Sequence, residues 1–182
     1  MTNASYISLT RIFLIIPIIY FSSLQITMFN ILALVLFILA SLSDYFDGYV
    51  ARKTNSVTYL GSLLDLLADK LLVCLILIWL SFLNSSFPFI FAVILIVSRE
   101  IIISSIRQFI SENYDSKLLK VSLLGKGKTV LQMFTISVIL ISPEFPAFLS
   151  PISIILLWTT AFVSFYSLII YVQNWSRLID SD

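Results

Sequence analysis

Asp44-Tyr-Phe-Asp47-Gly48-Tyr-Val-Ala51-Arg52, then eight residues, then Gly61-Ser-Leu-Leu-Asp65-Leu-Leu-Ala-Asp69: this stretch sets four carboxylates, two glycines and an arginine at fixed spacing inside apolar sequence. Asp44 and Asp47 are three residues apart, and Gly61, Asp65 and Asp69 follow at intervals of four, so on helices each set lines one face. A helical hairpin closed by the polar segment Lys53 to Tyr59, centred near Ser56, brings Asp47 to the level of Asp65 and Asp44 to that of Asp69. Two acidic faces then form one bowl. A carboxylate near the bilayer centre costs roughly 3 kcal/mol, so four together, on the order of 10 kcal/mol, call for water or a cation.

The surrounding sequence is that of a membrane protein. Its 182 residues are 59% hydrophobic and 12% charged, with several apolar runs near twenty residues. The runs predict six spans, at about 12–27, 28–52, 61–83, 87–107, 127–148 and 152–175. Only helices suit them, because lipid cannot satisfy an open strand edge. The expected fold is an all-α integral membrane bundle of six transmembrane helices. It forms one domain over 1–182, with residues 1–10 as a short N-terminal surface segment.

Arg11, Arg52, Lys53, Arg107, Lys117, Lys120, Lys126, Lys128 and Arg177 all fall on one side of this arrangement, and the opposite loops near 21–28, 81–88 and 141–150 carry no basic residue. The basic side is therefore cytoplasmic. Trp79 and Trp158 fall near outer ends of spans and Trp175 near a cytoplasmic end, as interfacial aromatics do. Arg11 precedes an apolar run in the manner of a signal peptide, but no small-residue cleavage pattern follows, so the first span reads as a retained helix. Between Arg107 and Lys128 runs a polar connection of about twenty residues, long enough to carry function.

The chain has no histidine and one cysteine, Cys74, expected as a buried thiol. Ser-His-Asp and Cys-His hydrolysis and histidine-ligated zinc are thereby excluded. A ligand set of aspartates is hard and oxygen-only, which favours Mg2+ or Mn2+, and four aspartates suit two ions better than one. A paired-ion site at a membrane surface fits a diphosphate. Gly48 and Gly61 each cost roughly 1 kcal/mol in a helix relative to Ala. Close helix packing or close approach of a ligand would each account for them, and Arg52 beside them can fork onto a phosphate.

The fixed positions D-x2-D-G-x2-A-R-x8-G-x3-D-x3-D are all met, and the stretch resembles the signature of the CDP-alcohol phosphatidyltransferase family. The resemblance implies a six-helix membrane enzyme, a homodimer, in which an acceptor hydroxyl attacks the β-phosphorus of a CDP-linked lipid and CMP leaves. It makes Asp44, Asp47 and Asp65 metal ligands, and Asp69 both ligand and general base. A carboxylate is the natural base in a chain without histidine. Gly48, Arg52 and Gly61 would hold the CDP moiety.

Outside the motif, Leu66-Leu-Ala-Asp69-Lys70, Ser98-Arg99-Glu100, Ser105-Ile-Arg107, Gly125-Lys126-Gly-Lys128-Thr129 with Gln132, and the opening Arg11-Ile-Phe-Leu-Ile are similar to bacterial members that use CDP-diacylglycerol and glycerol 3-phosphate. Ala4 and Ser5 depart from the Pro-Asn pair usual there. The partners so implied are CDP-diacylglycerol, glycerol 3-phosphate, membrane lipid and a second copy of the chain, with no nucleic acid. The implied location is the bacterial cytoplasmic membrane, multi-pass, with the active site facing the cytoplasm.

An acceptor with its own phosphate needs fixed cations near the bowl. Arg99 and Arg107 lie eight residues apart, roughly 80° around a helix, and Lys126 and Lys128 open the fifth span. Lys117 and Lys120 are accounted for by the positive-inside rule. Glu100 is expected to pair with a basic neighbour and orient it, and Lys70 to snorkel or to meet the lipid phosphate. Family members making cardiolipin or phosphatidylinositol phosphate share the donor site. A divalent-cation transporter could also carry aspartates in a bundle, but it needs a polar path through the outer halves of the spans, where no acidic or basic side chain is expected.

Overall fold

In the computed structural model the apolar runs form six α-helices: α1 (Asn3–Ser23), α2 (Thr27–Lys53), α3 (Tyr59–Leu83), α4 (Phe87–Asn113), α5 (Leu123–Ile141) and α6 (Pro146–Ile179). The structure describes residues 3–53, 59–113 and 123–179, with side chains described at 6–43, 61, 63–110 and 127–174. Among the described residues there is no strand. Within the described residues four stretches are long and apolar enough to cross a membrane: Tyr6–Ser23, Leu63–Leu83, Phe87–Ile110 and Pro146–Asn174. α2 adds a shorter apolar stretch, Thr27–Ser43. The 19 residues of α5 rise about 28 Å, close to the ~30 Å of a hydrocarbon core.

The outer turns fall where the loops were expected. Leu24 N–H bonds Phe21 C=O at 3.3 Å and Gln25 takes φ 52°, a left-handed residue that lets α2 start at once. Asn84 N–H bonds Leu80 C=O at 2.9 Å to close α3. A 3-10 turn, Ser142–Glu144, joins α5 to α6, and Pro146 opens α6, where a missing N–H sacrifices no helical bond.

The boundaries differ at the basic side. From Asn3 onward the expected N-terminal surface segment is the opening of α1. The connection expected from Arg107 to Lys128 contracts to residues 114–122, because α4 continues to Asn113 and α5 begins at Leu123. Arg107, Lys126 and Lys128 therefore ride on helices. Helical hydrogen bonds are local, so a helix leaving the apolar layer can keep them through polar residues.

The helices pack in a ring, α1–α2–α5–α6–α4–α3 and back to α1, with α3 touching α5 across it. Among the described residues α2 and α3, consecutive in the chain, have little contact with each other, and α1 lies against both. The core contains Ile18, Phe37, Leu72, Ile76, Phe89, Ile96 and Leu157. Ala33, Ala40, Ala68, Ala92 and Ala161 are buried among them, small side chains that let backbones approach where burial from lipid supplies no driving force. Phe13, Phe82, Phe87, Phe148 and Phe162 remain exposed on the outside, as suits a lipid-facing surface.

Polar ties fasten the ends. Trp79 Nε1 on α3 donates to Ser22 Oγ on α1 at 2.9 Å, while Trp158 sits between the tilted rings of Phe91 and Phe162. Thr135 and Thr160 join α5 to α6 through their hydroxyls at 2.7 Å. The outer end does carry one acidic group, contrary to expectation: Glu144 accepts from the Asn30 amide at 2.6 Å. A cavity of about 120 Å³ lies beside Asn30. Between it and the inner polar groups the described interior carries no charged side chain, its polar groups there being the Thr135 and Thr160 hydroxyls bonded to each other. Cys74 is a half-buried free thiol.

Candidate active site

The acidic motif meets the rest of the protein first at Arg11. This α1 guanidinium is only 1% exposed; its Nε donates to Ser43 Oγ on α2 at 3.2 Å and its Nη1 to Asp65 Oδ1 on α3 at 3.3 Å. A buried guanidinium requires such partners. Because α1 lies against both motif helices, its one arginine bridges them. Sequence reading had counted Arg11 only among the cytoplasmic basic residues and in a likeness. The Asp65 side chain keeps 41% of its surface accessible.

Asp69, one turn beyond Asp65, lines a small cavity of about 30 Å³ with Lys70, Val73, Glu100, Lys128, Thr129 and Gln132. That is room for about one water. Three helices converge here because α3 meets α4 on one side and α5 across the ring. The α3 face that carries Gly61, Asp65 and Asp69 thus leads from the Arg11 bridge to this cavity.

Glu100 is the hub of a second cluster. Its carboxylate is paired with the Lys128 ammonium and accepts from Arg99 Nη1 at 3.2 Å and Gln132 Nε2 at 3.2 Å. Arg99 Nε donates to the Ser164 carbonyl at 3.1 Å and its Nη2 to Ser167 Oγ at 3.2 Å. Lys70 neither snorkels nor stands free: its ammonium donates to the Glu100 carbonyl at 3.2 Å and to Ser104 Oγ. Glu100 does pair with basic neighbours, and with two of them. Around Glu100 stand Lys70, Arg99 and Lys128, with the half-buried Arg107 further along the same helix. The cluster is electropositive and abuts Asp69.

Arg99 and Lys128, expected at an acceptor phosphate, are brought together on Glu100, 5% and 4% exposed. The Arg99 guanidinium spends its three nitrogens on Glu100 and α6. Arg107 lies about two turns further along α4. Gly61 and Asp65 are on α3 as expected, while the side-chain positions of Asp44, Asp47, Gly48, Arg52 and Lys126 lie outside the described residues. Sequence reading missed the α6 contribution. Thr160, Ser164, Ser167 and Tyr171 recur at i, i+4, i+7 and i+11, a polar stripe at helical spacing that would have shown which face of α6 turns inward.

Toward a metal the chain offers hard donors: Asp65 and Asp69 are one turn apart on a single face, and the chain has no histidine and a single cysteine, Cys74, that lies more than one turn beyond Asp69; among the described residues no three such ligands gather at one point.

Comparison of the sequence with known proteins points to one class. The family model of CDP-alcohol phosphatidyltransferase matches residues 1–166, and the chain belongs to that family. Enzymes of this family generally depend on a divalent metal. Among its relatives is the "CDP-diacylglycerol--glycerol-3-phosphate 3-phosphatidyltransferase" of Rickettsia bellii, 37% identical over 166 residues, 88% of this chain and 87% of the relative. Proteins of the same name are 38% identical over 137 residues in Wigglesworthia glossinidia brevipalpis, covering 75% and 74% of the two chains, and 34% identical over 138 residues in Haemophilus influenzae, covering 76% and 74%.

Proposed function

We propose that this chain transfers a phosphatidyl group from CDP-diacylglycerol to the primary hydroxyl of sn-glycerol 3-phosphate, giving phosphatidylglycerophosphate and CMP. The observation that carries the reading is the junction at Asp69. On one side is the acidic face of α3, on the other a cluster in which Lys70, Arg99, Arg107 and Lys128 outnumber Glu100. Such a junction serves two phosphates of different fate, one attacked beside carboxylates and one held by cations. The names of the relatives support this donor and this acceptor.

Asp44, Asp47, Asp65 and Asp69 would hold the metal, two ions of Mg2+ or Mn2+, which balance four negative charges. Bound there, the metal supplies charge neutralisation for the diphosphate and for departing CMP. Gly48, Arg52 and Gly61 hold the CDP group. Arg11 keeps Asp65 in place from α1. Asp69 takes the proton of the acceptor hydroxyl as that oxygen bonds the β-phosphorus; the bond from that phosphorus to the bridging oxygen breaks and CMP leaves. Arg107 and Lys126 contact the acceptor phosphate. Arg99 and Lys128, locked on Glu100, contribute a fixed positive potential.

The same reading makes the chain one domain over residues 1–182, a homodimer in the bacterial cytoplasmic membrane with its site facing the cytoplasm. The family match over residues 1–166, the bacterial relatives and the one-sided basic residues support the domain and the orientation. The dimer rests on the family likeness.

The test is CMP release by purified enzyme with CDP-diacylglycerol and, in turn, glycerol 3-phosphate, glycerol, serine, inositol phosphate and phosphatidylglycerol. Glycerol 3-phosphate should be the preferred acceptor, and thorough chelation should abolish release until Mg2+ or Mn2+ is restored. Preference for another acceptor, or full activity after chelation, overturns the proposal.

A further inference from the structure

Tyr171 on α6 ends in a hydroxyl oxygen that is closed to solvent and has no hydrogen-bond partner among the described residues. Buried tyrosine hydroxyls ordinarily find a partner, and an exception asks for a reason. The neighbourhood supplies one. Arg99 binds Ser164 and Ser167, which fixes the register of α4 against α6, and both helices run inward from the outer face. Seven residues beyond Ser164 is Tyr171, and eight beyond Arg99 is Arg107, each about two turns further toward the basic side. Arg107 is also the charged group that acts on the Tyr171 phenol. A cation and a neutral donor without a partner among the described residues thus lie at one level toward the inner ends of α4 and α6.

We propose that Tyr171 is a ligand-binding residue of the acceptor subsite, its O–H donating to an oxygen of the phosphomonoester whose charge Arg107 meets. This rests on the reading of Arg107 given above. A guanidinium alone attracts any phosphate, including the diester of a lipid. The added O–H gives a second, directed contact to a small headgroup with several free oxygens. With both polar groups occupied, the hydroxyl no longer stands buried and unpaired.

The experiment is steady-state kinetics of Tyr171→Phe, Arg107→Ala and the double variant, with melting temperatures in detergent. Phe keeps the ring and removes only the hydroxyl. The efficiency of Tyr171→Phe toward glycerol 3-phosphate should fall roughly ten- to hundredfold, the range for a hydrogen bond to a charged group. The fall should lie in acceptor KM, with the apparent affinity for CDP-diacylglycerol within about twofold of wild type. The melting temperature should be no lower than wild type, since no bond inside the protein is lost. In the Arg107→Ala background the same change should matter less, because both residues act on one phosphate.

Wild-type kinetics for Tyr171→Phe, with Arg107→Ala impaired toward the acceptor, would overturn the assignment of Tyr171 and leave the proposed reaction standing. An unimpaired Arg107→Ala would remove the acceptor reading itself. A loss in CDP-diacylglycerol affinity would make the phosphate that of the lipid donor, and a matching drop in melting temperature would make Tyr171 structural. Either result refutes the proposal.

Discussion

Replacing Glu100 by Gln removes one negative charge from the centre of the cation cluster while keeping the side chain's size. Glu100 is 8% exposed and serves Lys128, Arg99 and Gln132. The amide keeps one acceptor oxygen and turns an N–H₂ toward groups that are themselves donors. Arg99 retains Ser164 and Ser167, so the main loss falls on Lys128, left 4% exposed. Breaking a buried pair from one side costs about 3–5 kcal/mol. In a chain of this size each kcal/mol shifts a melting temperature by about 2–4 °C, so thermal unfolding in detergent should fall by roughly 6–20 °C. Adding Lys128→Met should recover much of the loss, because the unpaired charge is then gone. If Glu100→Gln melts within about 2 °C of wild type, or Lys128→Met worsens it additively, the buried pairing does not hold the inner half of the bundle together.

Arg11→Met removes the bonds to Ser43 and Asp65 and, since the Asp65 side chain stays 41% accessible, should destabilise by about 1–2 kcal/mol; equal stability of wild type and Arg11→Met would contradict the bridge between α2 and α3. Asp69→Asn should lower turnover far more than donor affinity, whereas Asp44→Asn should weaken metal and donor binding together; equal loss of donor affinity in both counts against Asp69 as the base. Gly127→Ala adds a methyl group with nothing within 4 Å and should stabilise α5 by up to about 1 kcal/mol, a gain that chemical unfolding would detect and whose reversal would mean α5 does not hold its helix there.

The helices and their outer turns could be read from the apolar runs because a bilayer dictates both length and element type. Which helices touch could not. Phe37 is fully buried and Phe13 is 68% exposed, yet both sit in equally apolar sequence, since lipid and core look alike to a side chain. The wedging of α1 between α2 and α3 therefore left no local trace, and Arg11, 54 residues from Asp65, read as one more cytoplasmic charge. The motif spacing gave the acidic face of α3 directly. For Arg99 the sequence supplied the correct signal, a charge deep in a span, but its partners on α6 are 65 and 68 residues away. The single residue of neighbouring sequence that did matter was Glu100.

The position of α1 also has a consequence for how the chain is made. Arg11 leaves the ribosome 54 residues ahead of the carboxylate that pairs with it. At about 5–20 residues per second, roughly 3 to 11 seconds pass before Asp65 is synthesised. Through that interval the guanidinium has no helix from α3 beside it, so the newly inserted α1 must hold its charge at the aqueous boundary or in the insertion machinery. Arrival of α3 then draws Arg11 into place, and α1 is captured between two helices made after it.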